Sequence, residues 1–155
     1  MYMTKWSRPE ITNNVRELSS LVQKASMTQH MKAFYRVMQH CTGTYNRGLM
    51  IKPTESWDGD KSVEFIISGH SDSDFAKNVK GHKSISGCST FLCGAPVSIR
   101  SKMQDCVMLP LTEAVLVAAT QSAHDVLSVI RVLESMEMTV KKSIILEVDN
   151  KGSKI

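Results

Sequence analysis

The sequence predicts an α/β protein: a mixed sheet of three antiparallel strands plus one parallel strand with packed helices, preceded by a helical N-terminal segment. Apolar residues recur with the 3.6-residue period of helices up to about residue 44, and from Lys61 onward they recur with the two-residue period of strands. A long helical pattern over residues 109–137 separates the third strand from the fourth, and a right-handed crossover of this kind makes the fourth strand parallel. At 155 residues, 42% of them hydrophobic, the chain is long enough to bury one core.

Two amphipathic helices are predicted within residues 7–44. Ser7 and Glu10 have the S-x-x-E spacing of a capping box, with Pro9 in the first turn. The second helix is predicted to end at Gly43, a typical glycine stop. Each helix has an apolar stripe at helical spacing. The stripes comprise Ile11, Val15, Leu18, Leu21 and Val22 in the first helix and Met31, Phe34, Tyr35, Met38 and Cys41 in the second.

A polar segment separates the helical region from the sheet region. Residues 48–53 are interpreted as a short strand or an extended linker, and a polar turn containing Asp58 and Gly59 follows them. We therefore expect a helical segment over residues 1–55 and an α/β domain over residues 61–155.

Three strands are predicted in the first part of the α/β domain. Residues 63–70 are apolar on both alternating faces, which is typical of a strand covered on both sides. Residues 84–94 and 97–103 flank a Cys-Gly-Ala-Pro turn and are predicted to pair as a hairpin. In the third strand Arg100 and Lys102 share one face, because successive side chains alternate. This cationic strip is either a binding surface or an ordinary solvated sheet face.

A long helix and a fourth strand complete the predicted domain. Residues 109–137 have helical periodicity, and Pro110 suits a first turn. The segment KSIILEVD then alternates its side chains as a strand does and ends in Asp149. The predicted buried stripe of the helix comprises Leu116, Ala119, Ala123, Leu127, Ile130 and Leu133.

Three carboxylates occupy the ends of these predicted elements. Asp72 follows the first strand, Glu113 is near the start of the long helix, and Asp149 ends the fourth strand. Because the carboxyl ends of parallel strands lie at one edge of a sheet, Asp72 and Asp149 are expected to converge, with Glu113 within reach. Clustered carboxylates repel one another unless cations neutralise them. Mg²⁺ prefers oxygen ligands of this kind, and two such ions about 4 Å apart could activate water against a phosphodiester.

Structural roles for the same carboxylates remain open on spacing alone. Glu113 could simply complement the positive end of the helix dipole, and the residues after Asp149 could form a turn. A calcium loop of the EF-hand type is disfavoured, because Ala76 and Lys77 stand where that motif needs a ligand and a glycine.

The composition of the chain limits which binding partners and which cellular compartment we expect. The formal charge of +4 and the pI of about 8.9 permit an anionic partner but do not require one. The four cysteines form no C-x-x-C pair and have no histidines at zinc-site spacing, so reduced thiols are expected. No signal peptide or bilayer-spanning segment is predicted. We therefore expect an intracellular protein, cytoplasmic or nuclear, with no membrane partner.

Ordered motifs extend from about Tyr2 to Ile155. RPEITNNVRELSSLV is similar to TRPDI-x-x-AV-x-x-LS, GHSDSDFA to GYSDADWA, and HKSISGCSTFLCGAPVSIRSKMQ to RKSTSGYVFFLGGAPISWRSKKQ. Near the C-terminus LTEAVLVAA is similar to STEAEYIAA, and VDNKGS to CDNQGA. The chain thereby resembles the end of copia-type retrotransposon polyproteins, where a connection segment precedes a ribonuclease H domain.

The resemblance implies a fold, a chemistry and a set of site residues. The fold would be ribonuclease H-like, with Asp72, Glu113 and Asp149 as catalytic metal ligands and Asp74 in a secondary role. The cofactor would be Mg²⁺, with Mn²⁺ as the other suitable ion, and the reaction would cleave the RNA strand of an RNA–DNA hybrid. Such a hybrid, or another nucleic acid, would be contacted mainly at phosphates and sugar hydroxyls. The contacting residues would be Lys83, Arg100 and Lys102.

The chain also departs from the family pattern. Family members have a further metal-binding aspartate on a late helix, whereas this sequence stops at Ile155, so we expect an incomplete C-terminus. The sheet edge left uncovered is expected to be covered by a second copy of the chain or by a partner chain. The expected alternative to a nuclease is a non-catalytic retroelement remnant that binds nucleic acid or protein.

Overall fold

The computed structural model describes residues 3–4, 7–21, 27–52, 59–60, 63–74, 83–105 and 111–149. The chain divides into two compact units, Met1–Met50 and Ile51–Ile155. Of the sequence-based predictions, those concerning Val22, most of the polar turn around Asp58, and Pro110 lie outside the described residues. Residues 48–52 form neither helix nor strand, in agreement with a linker. No helix of the described part is both long enough and apolar enough to cross a bilayer.

The N-terminal unit contains the two predicted helices. A short 3₁₀ helix, Pro9–Ile11, leads into α1, Thr12–Leu21, and α2 follows at Met27–Gly43. The predicted capping box does not form. The Ser7 hydroxyl donates instead to the carbonyl of Met3, 3.4 Å away. Glu10 pairs with Arg8, so neither side chain caps the helix.

Arg8 is a buried cation that joins the two ends of the N-terminal unit. It is 5% exposed, and its guanidinium donates to the Glu10 carboxylate and to both the hydroxyl and the carbonyl oxygen of Thr44. Burial works to raise the pKa of Glu10, but the hydrogen bond from Arg8 and the charges of Arg8 and His40 outweigh it and hold that pKa below its usual range. The charge-assisted contacts fix the segment before α1 against the end of α2.

The predicted apolar stripe of α2 is largely exposed. Met31, Phe34, Tyr35 and Met38 are each between 42% and 58% accessible. Ala33 and Val37, on another side of the helix, are half-buried. A helix that packs in its own unit against one other helix can bury only one narrow strip, and here the small residues occupy it.

The C-terminal unit is built on a four-stranded sheet in the order β3-β2-β1-β4. The antiparallel strands are β1, Ile67–Asp74, β2, Ile85–Leu92, and β3, Ala95–Met103. After the helix α3, Leu111–Ser135, the chain returns as β4, Ile145–Val148, parallel to β1. The predicted topology of three antiparallel strands and one parallel strand is confirmed, and the fold is ribonuclease H-like.

The predicted hairpin is formed by β2 and β3. Its two turn residues, Cys93 and Gly94, both have positive φ, at 47° and 79°. Two consecutive residues of this kind make the tight turn whose twist matches that of the strands. The predicted end of the first strand was too early, because β1 continues to Asp74. Both Asp72 and Asp74 are therefore inside the strand, opposite Gly87 and Ile85 of β2.

The core of this unit lies between α3 and one face of the sheet. Phe65, Ile67, Val126 and Leu133 form a buried cluster. At Gly69 the helix approaches so closely that a Cβ atom would lie 2.9 Å from a Val126 methyl carbon. The expectation that the first strand is covered on both sides is wrong for the described residues, since Ile66 is 42% exposed.

The buried side of α3 shares Leu133 with the predicted stripe and otherwise differs from it by about one position. Leu116 and Leu127 are 66% and 45% exposed. Small side chains at the interface allow the helix backbone to come near the sheet, which the larger leucines would prevent. The buried residues are Ala114, Val115, Ala118, Ser122, Val126 and Leu133.

Candidate functional site

The sheet face opposite α3, here called the open face, carries the predicted aspartates. Ile67, Gly69 and Ser71 are buried and face α3. Because side chains alternate along a strand, His70 and Asp72 point to the open face. Asp72 is exposed, as expected for a carboxylate that no other element covers.

Asp149 lies beside Asp72 on the same face. The parallel register pairs His70 with Glu147 and Ser71 with Val148. The backbone N–H of Asp149 then donates to the carbonyl of Ser71 at 3.1 Å, which continues the ladder by one residue. The residues that follow Ser71 and Val148 are Asp72 and Asp149. Because each follows a residue that faces α3, both aspartate side chains point to the open face. The structure brings these two predicted residues together at the carboxyl edge of the parallel pair.

Glu113 lies at the same end of the sheet, on the helix that covers the opposite face. The helix runs antiparallel to β1: Leu133 packs near Phe65, whereas Ala118 accepts a weak hydrogen bond from the Cys88 thiol at 3.6 Å. One turn earlier, the Ala114 carbonyl accepts from Gln104 at 2.8 Å. The first turn of α3, with exposed Glu113, thus lies over the carboxyl end of the strands.

The three predicted carboxylates do not form a metal site in the described part of the protein. No group of three or more His, Cys, Asp and Glu side chains among the described residues lies close enough to hold a metal ion. Asp72 and Asp149 are adjacent, and Glu113 is near the same edge but does not join them. The three-carboxylate ligand set therefore stays a prediction, and this arrangement does not fit it without movement of Glu113.

The three predicted nucleic-acid-binding cations all have partners inside the protein. Arg100 contacts Asp125 of α3, with 3.1 Å between Nη2 and Oδ1. Lys102 lies 3.3 Å from the Asp105 carboxylate, and Lys83 donates to the Asp105 carbonyl at 2.6 Å. Arg100 is opposite Cys88 in the register and shares its α3-facing side. The predicted strip exists on one side of β3, with Arg100 and Lys102 each about half exposed.

Sequence reasoning missed a histidine–glutamate pair on the open face. His70 Nδ1 is 3.0 Å from Glu147 Oε2, and the Phe91 ring stands edge-on to the imidazole at 5.2 Å. The pair is directly beside the two aspartates. The signal that could have found it was the alternation itself, since His70 and Asp72 are two residues apart on one strand.

It also missed the buried acid of α3. The Asp125 side chain is 10% exposed, and its Oδ2 atom has no hydrogen-bond partner in the described part of the protein. Burial, aided by the nearby charge of Asp125, raises the pKa of the Cys88 thiol, although Arg100 opposes the shift. Asp125 had no distinguishing motif, so only the packing of α3 on the sheet reveals it.

The N-terminal unit has a groove of about 310 Å³ between α1 and α2. Leu18 and Val37 supply apolar lining, while Asn14, Arg36 and His40 supply polar groups. No motif in the sequence pointed to this groove.

The fold and the paired aspartates define the class first: a ribonuclease H-like α/β domain with acidic residues at the carboxyl edge of its parallel strands. Comparison with known proteins then gives the family. The chain is 26% identical over 145 residues to the retrovirus-related Pol polyprotein from transposon TNT 1-94 of Nicotiana tabacum, covering 94% of the chain and 10% of that protein. It is 24% identical over 148 residues to the corresponding polyprotein from transposon RE1 of Arabidopsis thaliana, covering 96% of the chain and 10% of that protein.

A third relative is much shorter. The secreted RxLR effector protein 161 of Plasmopara viticola is 30% identical over 125 residues, which cover 81% of the chain and 82% of that protein. No protein-family model and no solved structure matches the chain. The chain belongs to the family of copia-type retrotransposon polyproteins, and it is retroelement-derived. It spans about a tenth of the length of the two polyproteins.

Proposed function

We propose that this protein is a ribonuclease H-type endonuclease that hydrolyses the RNA strand of RNA–DNA hybrids with a divalent cation, Mg²⁺ or Mn²⁺. The observation that carries the proposal is the position of Asp72 and Asp149, side by side at the carboxyl edge of β1 and β4. Ligands of open sheets with parallel strands bind at such edges. The family membership of the chain supports the same reaction class.

The chemistry of the pair favours a cation at this edge. Two neighbouring carboxylates offer the oxygen ligands that a hard divalent ion prefers, and an ion held there could activate water. Asp72 and Asp149 would hold the ion. The proposal also requires Glu113 to approach them from the first turn of α3, where it is exposed.

We propose an RNA–DNA hybrid as the substrate. A protein recognises such a hybrid by its helical shape and its phosphate charges rather than by its base sequence. Arg100, Lys102 and Lys83 would contact phosphates after exchanging their present partners. Binding would then weaken as salt rises, because phosphate contacts release counterions.

The test is cleavage of an end-labelled RNA–DNA hybrid by the wild type, Asp72→Asn, Asp149→Asn and Glu113→Gln. We expect Mg²⁺-dependent cleavage by the wild type, abolished by EDTA, and a loss on the order of 10²-fold or more in each variant, since each removes a group needed to hold the ion. Glu134→Gln, an exposed glutamate at the other end of α3, is the matched control and should retain full activity. Equal residual activity in the wild type and Asp72→Asn would reject the nuclease.

A second candidate function is a non-catalytic binding module. Two observations favour it: a relative of similar length is named a secreted effector protein, and apolar side chains are exposed on the open face, among them Ile99 at 40% and Ile145 at 57%. Tight binding of the hybrid with no cleavage in Mg²⁺ or Mn²⁺ would favour this candidate. Cleavage that depends on Asp72 would exclude it as the whole function.

A further inference from the structure

The net positive charge of the chain comes from the N-terminal unit. Residues 1–50 contain seven Lys and Arg against two Glu, a formal charge of +5. Residues 51–155 contain twelve Lys and Arg against thirteen Asp and Glu, a formal charge of −1. The predicted nucleic-acid face was assigned to the second unit, yet the charge that would attract a polyanion is concentrated in the first.

Within the described part of the N-terminal unit, α2 carries two exposed cations, and Arg47, just after the helix, is a third. Arg8 is buried against Glu10, and Arg16 lies 3.6 Å from Glu17. Helix α2, by contrast, has no Asp or Glu over its 17 residues. Lys32 and Arg36 are exposed there, and neither has a carboxylate partner among the described residues. Like charges one turn apart disfavour each other slightly, and an anionic ligand would relieve that repulsion.

An exposed aromatic side chain lies one turn from Lys32 and adjacent in sequence to Arg36. Tyr35 is 58% accessible and is on the same side of the helix as Lys32, three residues before it, and Gln39, four residues after it. The Phe34 ring stands at 64° to the Tyr35 ring, with 6.2 Å between centroids, and supports it from one side. We call Lys32, Tyr35, Arg36 and Gln39 the α2 outer face. Arg36 is at its border, since it also lines the groove between α1 and α2.

We propose that the α2 outer face binds single-stranded nucleic acid. Lys32 and Arg36 would contact successive phosphates, and an unpaired base would stack on Tyr35, since accessible aromatic rings beside cations suit single strands better than duplexes. Gln39 can donate and accept hydrogen bonds at a base edge or sugar. Anchoring to an anionic membrane generally uses clusters of about four to eight cations, more than this face offers. The proposal does not depend on hydrolysis at Asp72 and Asp149.

The first test measures the charge contacts with the full chain in EDTA. A fluorescein-labelled single-stranded RNA of about 20 nucleotides is titrated at several KCl concentrations, and anisotropy gives Kd. Lys32→Ala combined with Arg36→Ala should weaken binding about tenfold at low salt and lower the slope of log Kd against log salt by about 1.4, or 0.7 for each lost phosphate contact. Lys141→Ala combined with Lys142→Ala removes the same charge from exposed sites of the C-terminal unit and should leave both values unchanged.

The second test isolates stacking. Tyr35→Ala should weaken binding by about fivefold or more, whereas Tyr35→Phe, which keeps the ring, should stay within about twofold of the wild type. Circular dichroism checks that each variant keeps its helices. Because binding is measured in EDTA, its outcome is independent of metal-dependent cleavage by the proposed nuclease. Equal losses in the two charge variants would overturn the proposal. So would binding to vesicles of anionic phospholipid with no binding to RNA.

Discussion

The two units of the protein use their apolar side chains in opposite ways. In the C-terminal unit Ile67 and Ala118 are each 1% exposed beneath one long helix. In the N-terminal unit Ile11 is the buried apolar side chain among the described residues, while aromatic and methionine side chains of α2 are about half exposed. A helix packed on a sheet buries a continuous core, whereas two packed helices bury a strip and depend on contacts such as those of Arg8. The C-terminal unit therefore has a continuous core on one side of its sheet, whereas the N-terminal unit leaves most of its large apolar side chains accessible to a ligand.

The largest expected difference is the response to truncation of an apolar side chain. Leu133→Ala should lower the free energy of unfolding by about 2–4 kcal/mol, because Leu133 is 6% exposed and its removal leaves a cavity in the core. Met38→Ala, at a position 45% exposed, should change it by less than about 0.5 kcal/mol. Urea denaturation of both variants checks the pair. A cost at Met38 as large as that at Leu133 would show that the α2 stripe is covered in the folded protein.

A smaller effect is expected where a methyl group is added at glycine. Gly69→Ala should destabilise the protein by about 1–3 kcal/mol, because the new Cβ would lie 2.9 Å from a methyl carbon of Leu146 and 2.9 Å from one of Val126. Gly43→Ala is the matched change at the end of α2, where a Cβ would meet nothing within 4 Å. Stability there should be unchanged or slightly higher, because alanine favours helix. Thermal unfolding of the two variants compares them, and similar melting temperatures would contradict the close approach of α3 to β1.

The smallest effect concerns the thiols at alkaline pH. Burial raises the pKa of Cys88, so above the ordinary thiol pKa of about 8.5 the unfolded thiol ionises while the folded one keeps its proton. Stability should therefore fall as pH rises, and the wild type should lose up to about 1 kcal/mol more than Cys88→Ala between pH 7.5 and 9.5. Urea midpoints across this range measure the loss. Cys41→Ala, at a half-buried thiol of the N-terminal unit, should follow the wild type. Parallel curves for the wild type and Cys88→Ala would refute the prediction.

Local chemistry was enough to predict the elements whose signals are local. The hairpin followed from a turn with Gly94 between two alternating runs, and the crossover rule gave the parallel direction of β4. The pairing of Asp72 with Asp149 at one edge followed from the same topology. These features depend on the direction of each strand and on the alternation of its side chains, and both can be inferred from the sequence.

Features that depend on packing distance could not be predicted in the same way. Helix α3 is apolar around much of its circumference, so periodicity alone could not decide between Leu116 and its neighbour Val115 for the buried side. The close approach of α3 to β1 at Gly69 determines which side of the helix is buried, and small residues such as Ser122 permit that approach. For Glu113 the sequence indicated the correct end of the sheet, but the distance to the aspartates depends on helix placement, and the ligand set remains a prediction.

Asp125 and any bound anion would compete for the guanidinium of Arg100. Asp125 is nearly covered, and Arg100 is the cation beside it. A phosphate that recruits this guanidinium leaves behind an uncompensated carboxylate under α3, which is costly in a poorly solvated place. Anion binding at Arg100 should therefore weaken the packing of α3 on the sheet. Local unfolding of α3 would then be easier in the bound protein than in the free one.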